Sequence, residues 1–416
     1  MPSRRWGPDV FRTVSALLTR AARHTGPLNY YADRFLIIAA SATTIQSVVT
    51  GWRDRFPDFK IFYGSSLLLG RGADPYQGLW ADGLGPNTNT PSVIVALEPL
   101  TWLPFLPAAM LWLGLGLIAL GATVRALAPA VVPTTRRVLL LVVLSTQACA
   151  LTIRQGQVVF FVMALFTYAW LADRDGRSMR SGLALGILMA LKPFYGLFAI
   201  YLLWRRDWRA FAGVIAGGGL CVSVALLDLQ PGIFTSWITS LGGINWQAHL
   251  TNVSIRGIAA RWFAAPPQQP YVLTTTPLVA SKELELAFWI GGAAVIAFLT
   301  ARCVRRTGDQ AQPWAVLSLA ALLLSPLAEI HYAIVGLGPI AVTFARSRRW
   351  TVAWITGIGL SLPFALVDAL HRGVVGTMTI GSVYGLSMIA LWAEMLRPVR
   401  SEMVDGALRG LVIGDR

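Results

Sequence analysis

Charge is what this chain has least of: 13% of its 416 residues are charged, about half of the roughly 25% usual in soluble domains. With 55% of its residues hydrophobic, it lacks the polar surface that a water-soluble fold of this length needs. Cysteine is scarce too. Cys149, Cys221 and Cys303 fall within or at the ends of apolar runs, which excludes a disulfide framework and leaves no metal-ligand spacing. There is no P-loop, HExxH, paired CxxC or dinucleotide fingerprint. Neither a soluble nucleotide donor nor a structural metal is expected, and no cofactor is assigned. Acids are few, 20 against 35 basic residues, for a net charge of +15. The basic residues gather in short clusters between apolar runs, which is the positive-inside pattern of a membrane protein and excludes a nucleic-acid partner. No internal repeat is evident, which weakens the reading as a secondary transporter built from inverted halves.

What is abundant is apolar sequence of bilayer-crossing length. Twelve runs, from 35–50 through 137–153, 331–345 and 351–369 to 378–396, predict an all-α polytopic membrane protein with about 12 transmembrane helices. The division expected is an N-terminal segment 1–33, a membrane domain 34–398 with outer loops 51–106 and 229–283, and a tail 399–416. An even number of crossings puts both termini on one side, and their basic residues make that side the cytoplasm. The first twenty residues read as a basic, loosely amphipathic surface segment with no signal-peptide cleavage site. On this topology 25 of the 35 basic residues lie inside and 10 outside. Two local readings keep the parity. The run 91–103, which holds Glu98, Pro91 and Pro99, lies on or dips into the outer leaflet without crossing. The run 181–204 is two short helices meeting at Lys192-Pro193, because one helix of about 24 residues, roughly 36 Å, would bury Lys192 near the bilayer centre.

Every ionisable group of interest then falls on the outer face. The acids there are Asp58, Asp74, Asp82, Glu98 and Glu329; the cations include Lys60, Arg71, Arg154, Lys192, Arg256 and Arg261, with His331 beside them. Moving a sugar from a lipid phosphate to a hydroxyl needs a carboxylate base and fixed positive charge for the departing phosphate. One essential carboxylate suits direct displacement with inversion, whereas retention needs a second as nucleophile. Asp58 opens the stretch PDFKIFYGSSLLLG, a predicted helix ended by Gly70, and sits where the dipole keeps a carboxylate ionised. The alternative is that Asp58 caps that helix by accepting backbone N–H bonds. Lys192 is the sharpest cation, because a membrane lysine facing nothing is improbable. Asp74-Pro75-Tyr76 is a turn signal. Besides a transferase, the parts fit a transporter or lipid flippase, or a non-catalytic lipid-binding subunit.

Five stretches occur in an order that resembles family 87 glycosyltransferases of the GT-C superfamily. They are PDFKIFYGSSLLLGRGADPY, RQGQVVFFVMALF, GILMALKPFYGLFAIYLLWRRDWRA, NVSIRGIAARWF and LLLSPLAEIHYAIVGLGPI, within residues 35–400. The resemblance implies the GT-C fold, with juxtamembrane helices in the first outer loop. It implies a polyprenyl-phosphate sugar donor, most often mannose, and a lipid or glycan acceptor at the outer face of a bacterial plasma membrane. It places the catalytic base at Asp58 and the family's Gly-Gln turn at Gly156-Gln157. Lys192 and His331 fall near the donor phosphate, joined in this reading by Arg154 and Arg256. Tyr63, Asp74, Gln155, Gln157, Asn252 and Glu329 are the residues expected around the substrates. The chain departs from the pattern at Asn87–Pro91, NTNTP, where relatives often carry an aromatic followed by two prolines on the acceptor side.

Overall fold

The computed structural model describes residues 27–76, 87–127, 143–228, 232–244, 246–265, 275–307, 310–347 and 350–398. Residues 1–26 and 399–416, most of the expected cytoplasmic segments, lie outside these, as does Asp82. The described residues are mostly helical and hold no strand; one isolated antiparallel bridge joins Asn252 to Glu329. The first helices are α1 (Pro27–Asp54), α2 (Pro57–Gly70), α3 (Pro91–Leu97), α4 (Phe105–Leu127), α5 (Gln147–Gln155) and α6 (Val159–Arg174). They are followed by α7 (Ser178–Leu191), α8 (Leu197–Trp204), α9 (Trp208–Asp228), α10 (Ile233–Gly242), α11 (Ile255–Phe263) and α12 (Lys282–Arg306). The last group is α13 (Ala311–Leu324), α14 (Leu337–Ser347), α15 (Trp350–Ser361), α16 (Phe364–Leu370), α17 (Gly373–Met378) and α18 (Val383–Met395).

Among the described residues four stretches are long and apolar enough to cross a membrane: Phe105–Leu127, Trp208–Leu227, Lys282–Arg306 and Gly373–Met395. Their apolar side chains point outward; Ile290, Val295 and Phe298 on α12 are all exposed. Outward apolar faces of that length mark a membrane-embedded protein. The expected twelve crossings are not established, because several of the runs are broken helices. Within 137–153 the chain bends at Thr146, whose Oγ1 accepts the Cys149 N–H at 3.2 Å and caps α5. The run 331–345 begins with a 3₁₀ turn, Ile330–Ile334, before α14. The run 351–369 breaks at Pro363, which cannot continue α15. The run 91–103 forms α3 and a 3₁₀ turn, Glu98–Trp102. Seven helical residues span only about 10 Å, too short to cross.

The core forms around α13, in which every residue from Ala311 to Leu323 is buried. A helix apolar all round is stable only inside such a bundle. Beside it α7 and α9 pack backbone to backbone through paired glycines. A Cβ at Gly182 would collide with the Ala210 carbonyl, at Gly186 with the Val214 carbonyl, and at Gly217 with the Leu183 carbonyl. Glycines four residues apart on both helices allow this approach. The rising register (182 with 210, 186 with 214) makes α7 and α9 parallel, so α8 must run back between them. The Arg205 Nη1–Asp173 Oδ2 ion pair, 3.0 Å, closes the end away from Lys192. The chain therefore turns at Lys192-Pro193, and the single 24-residue helix is excluded.

Candidate functional site

Asp58 is presented by a sharp corner between α1 and α2. Arg55 and Phe56 adopt left-handed backbone angles (φ 57° and 46°), and Pro57 then starts α2 with the φ a first helical turn requires. Phe59 and Phe62 bury one face of α2. No side chain caps α2; the Asp58 carboxylate instead accepts a hydrogen bond from the Gln157 side chain. Gln157 reaches it because Gly156 ends α5 in a left-handed conformation (φ 71°), pressed so close to Phe59 that any Cβ would strike the Phe59 Cβ. Trp112 Nε1 donates to the Gly156 carbonyl at 2.9 Å and fixes the turn.

Glu329 and His331 arrive on the connection between α13 and α14. That segment is tied to the stretch between α10 and α11 by two backbone bonds, Val253 N–H to the Ala328 carbonyl (2.7 Å) and Ile330 N–H to the Thr251 carbonyl (2.8 Å). Glu329 Oε2 lies 2.5 Å from His331 Nε2. The Glu329 side chain keeps 31% of its surface open, whereas His331 is buried and its Nδ1 has no hydrogen-bond partner among the described residues. Lys192 sits in the turn after α7. Its Nζ donates to Asn89 Oδ1 at 2.6 Å and lies 5.0 Å from the centre of the Tyr332 ring.

Three separated stretches thus act on one carboxylate. Burial, and then the negative charge of Glu329, push the Asp58 carboxyl up to about 6; His331, the Gln157 hydrogen bond and Lys192 oppose the rise. Burial would raise Glu329 as well, but the charge and hydrogen bond of His331, with His249 and Lys192, hold it below the ordinary carboxylate range. The site therefore holds two carboxyl groups whose environments drive them apart, one a proton acceptor near neutrality and one kept ionised. Such a separation is the usual physical basis for assigning a base. Among the described residues no three His, Cys, Asp or Glu side chains are grouped to hold a metal ion.

Other expected site residues have partners elsewhere. Arg154 pairs with Asp54, Nη2 to Oδ2 2.7 Å and Nε to Oδ2 3.1 Å. The Arg256 guanidinium lies 4.3 Å from the Trp289 ring centre. Tyr63 donates to the Leu103 carbonyl at 2.8 Å. Asp74 accepts the Tyr76 N–H at 2.8 Å, closing its own turn. Asn252 braces the Glu329 segment, its Oδ1 accepting the Ser254 and Ala328 N–H groups. Gln155 Oε1 is buried beside the Gly156 turn without a hydrogen-bond partner. Sequence reasoning missed Asn89, His249 and the role of Arg261. Arg261 is fully buried and donates from Nη1 to the His249 (2.8 Å) and Asn252 (3.0 Å) carbonyls. The signal for Asn89 was present in the aberrant NTNTP segment.

Two arabinofuranosyltransferases, named alpha-(1->3) and from two Mycobacterium tuberculosis strains (CDC 1551 / Oshkosh and ATCC 25618 / H37Rv), are each 27% identical over 208 residues, covering 48% of either chain. The chain spans about half the length of these curated relatives. The family model for glycosyltransferase family 87 matches residues 87–328, so Asp58 precedes the matched segment while Glu329 and His331 follow it. The match covers more than half of the sequence, and its helices are apolar and membrane-embedded. The chain belongs to glycosyltransferase family 87.

Proposed function

We propose that this membrane glycosyltransferase moves a sugar from a polyprenyl-phosphate donor to a hydroxyl of a lipid or glycan acceptor at the outer membrane face, with inversion. The observation that carries the reading is the placement of Asp58, held by Gln157 and acted on by Glu329, His331 and Lys192 from distant parts of the chain. The acceptor oxygen attacks the anomeric carbon while its proton passes to the Asp58 carboxylate. The bond from that carbon to the phosphate oxygen breaks, and its electron pair leaves on the polyprenyl phosphate. Lys192 and His331 stabilise that departing charge. Glu329 lies against the His331 ring and holds it in place. A single base suffices for direct displacement, so inversion follows. The family resemblance favours mannose as the sugar, and the relatives' name favours arabinofuranose.

The test supplies purified protein with radiolabelled polyprenyl-phosphate-mannose and, in parallel, polyprenyl-phosphate-arabinofuranose, together with envelope lipids and glycans as acceptors. Asp58→Asn keeps the shape and removes the base. It is expected to lower turnover by about a hundredfold or more, the usual contribution of a positioned base, with the folded fraction unchanged. Substantial residual turnover in Asp58→Asn would remove Asp58 from the role.

A further inference from the structure

The departure at Asn87–Pro91 has a place in the fold that its composition does not suggest. Asn87, Asn89 and Ser65 are each almost fully buried, and their side chains form one directed hydrogen-bond chain. An ammonium group only donates, so the oxygen of Asn89 faces Lys192 at 2.6 Å. The Asn89 Nδ2 group must then donate, and it does so to Asn87 Oδ1 at 3.0 Å. The Asn87 Nδ2 group donates in turn to Ser65 Oγ at 2.9 Å, and Ser65 donates to the Pro75 carbonyl at 3.3 Å. Each member has one permitted orientation, which the next member imposes.

Ser65 stands seven residues after Asp58 on α2, and that spacing puts both on one face of the helix. The chain of bonds therefore starts at the cation and ends on the element that presents the base. Its backbone is fixed independently: Tyr76 Oη donates to the Asn89 carbonyl at 2.8 Å, and Thr90 Oγ1 to the Ala190 carbonyl at 2.6 Å. The second of these ties the segment to the end of α7, two residues before Lys192.

We propose that Asn89 is a positioning residue for Lys192, and that with Asn87 and Ser65 it sets the ammonium group's place relative to the Asp58 helix for binding the phosphate of a polyprenyl-phosphate ligand. The proposal rests on the transferase reading above. Lys192 is left with donors to spare after the Asn89 bond, and a neutral amide holds the ammonium without cancelling its charge. A carboxylate in the same place would hold it equally well and compete with the phosphate.

The experiment measures binding of polyprenyl phosphate to the purified full-length protein in detergent, by quenching of intrinsic tryptophan fluorescence. It compares wild type, Asn89→Asp, Asn89→Ala, Lys192→Ala and the double variant Asn89→Ala/Lys192→Ala. Asn89→Asp preserves size and is expected to fold. Its Kd should rise about tenfold or more, because the new carboxylate competes with the phosphate for the ammonium. Asn89→Ala should weaken binding less than Lys192→Ala does. The double variant should bind no worse than Lys192→Ala alone, because residues that act through one another are not additive. Unchanged binding by Asn89→Asp, or losses that add fully in the double variant, would overturn the proposal while leaving the transferase reading intact. Wild-type protein that binds no polyprenyl phosphate would overturn both.

Discussion

At the scale of single residues, the candidate site sets two carboxyl groups in unlike surroundings. Burial raises the Asp58 carboxyl to about 6, and the like charge of Glu329 adds to the rise. An ordinary aspartate stays ionised down to about pH 4. Transfer that needs ionised Asp58 should therefore fall away as pH drops through about 6. Glu329→Gln removes the like charge, so the acid limb should move to lower pH. Gln157→Leu removes a hydrogen bond that favours the ionised form, so the limb should move to higher pH. Rates measured between pH 4 and 8 on both variants check the signs; a limb that stays still in both would detach Asp58 from the pH dependence. Asp58, Lys192 and His331 are legible in the sequence because an ionisable group in so apolar a chain has few structural reasons to be there. Asn87 and Asn89 show only as a departure from the family pattern, since asparagines next to threonine and proline otherwise have the composition of any loop. Arg261 misled in the other direction. It reads as a free cation on the outer face, yet its guanidinium is spent on backbone carbonyls that shape the loop behind Glu329.

Elements carry Lys192 to its place, and here the close pairing of α7 with α9 decides. The Cβ of an alanine at Gly186 or Gly217 meets backbone carbonyls of the facing helix, and backbone cannot rotate away as a flexible side chain would. Gly186→Ala and Gly217→Ala must push the helices apart, and each should destabilise the protein by about 1–3 kcal/mol, the range for overpacking. Gly121→Ala on α4 is the control: among the described residues nothing lies within 4 Å of the added methyl, and alanine is the better helix former by about 1 kcal/mol. Thermal unfolding in detergent should show both glycine-pair variants losing stability and the control unchanged or slightly gaining. Equal behaviour of all three would mean the close approach contributes nothing. The pairing was available in the sequence as glycines four apart in two neighbouring runs. Helix breaks were harder to see. A capped bend at Thr146 and a 3₁₀ turn at Ile330–Ile334 leave hydropathy nearly unaltered, so apolar runs count as crossings whether or not one helix fills them.

For the whole molecule, the turn at Lys192-Pro193 fixes which ends of the helices belong together. Residues 173–178 and 205–209 share one end, joined by Arg205, Asp173 and the Trp314 indole, which donates to Asp173 Oδ2 at 2.8 Å. Lys192 and the groups that act on Asp58 share the other, about 21 Å away along the 14 residues of α7. The first end carries Arg174, Arg177, Arg180, Arg206 and Arg209, so the positive-inside rule predicts it on the cytoplasmic side. The site end is then expected on the outer side, the side on which the proposed transfer takes place. Single cysteines test this in a background free of Cys149, Cys221 and Cys303. Cysteines at Gly176 and Asp207 should react with a membrane-impermeant maleimide only after the cells are opened, and a cysteine at exposed Lys60 should react in intact cells. Two long-range facts have to agree for that pattern to hold: α8 must run back antiparallel, and the arginines must stay inside. Labelling of 176 and 207 from opposite faces would contradict the hairpin itself, whereas both labelling from outside would keep the hairpin and reverse the protein in the membrane. In the second case the base would open to the cytoplasm, and the acceptor would have to be sought there.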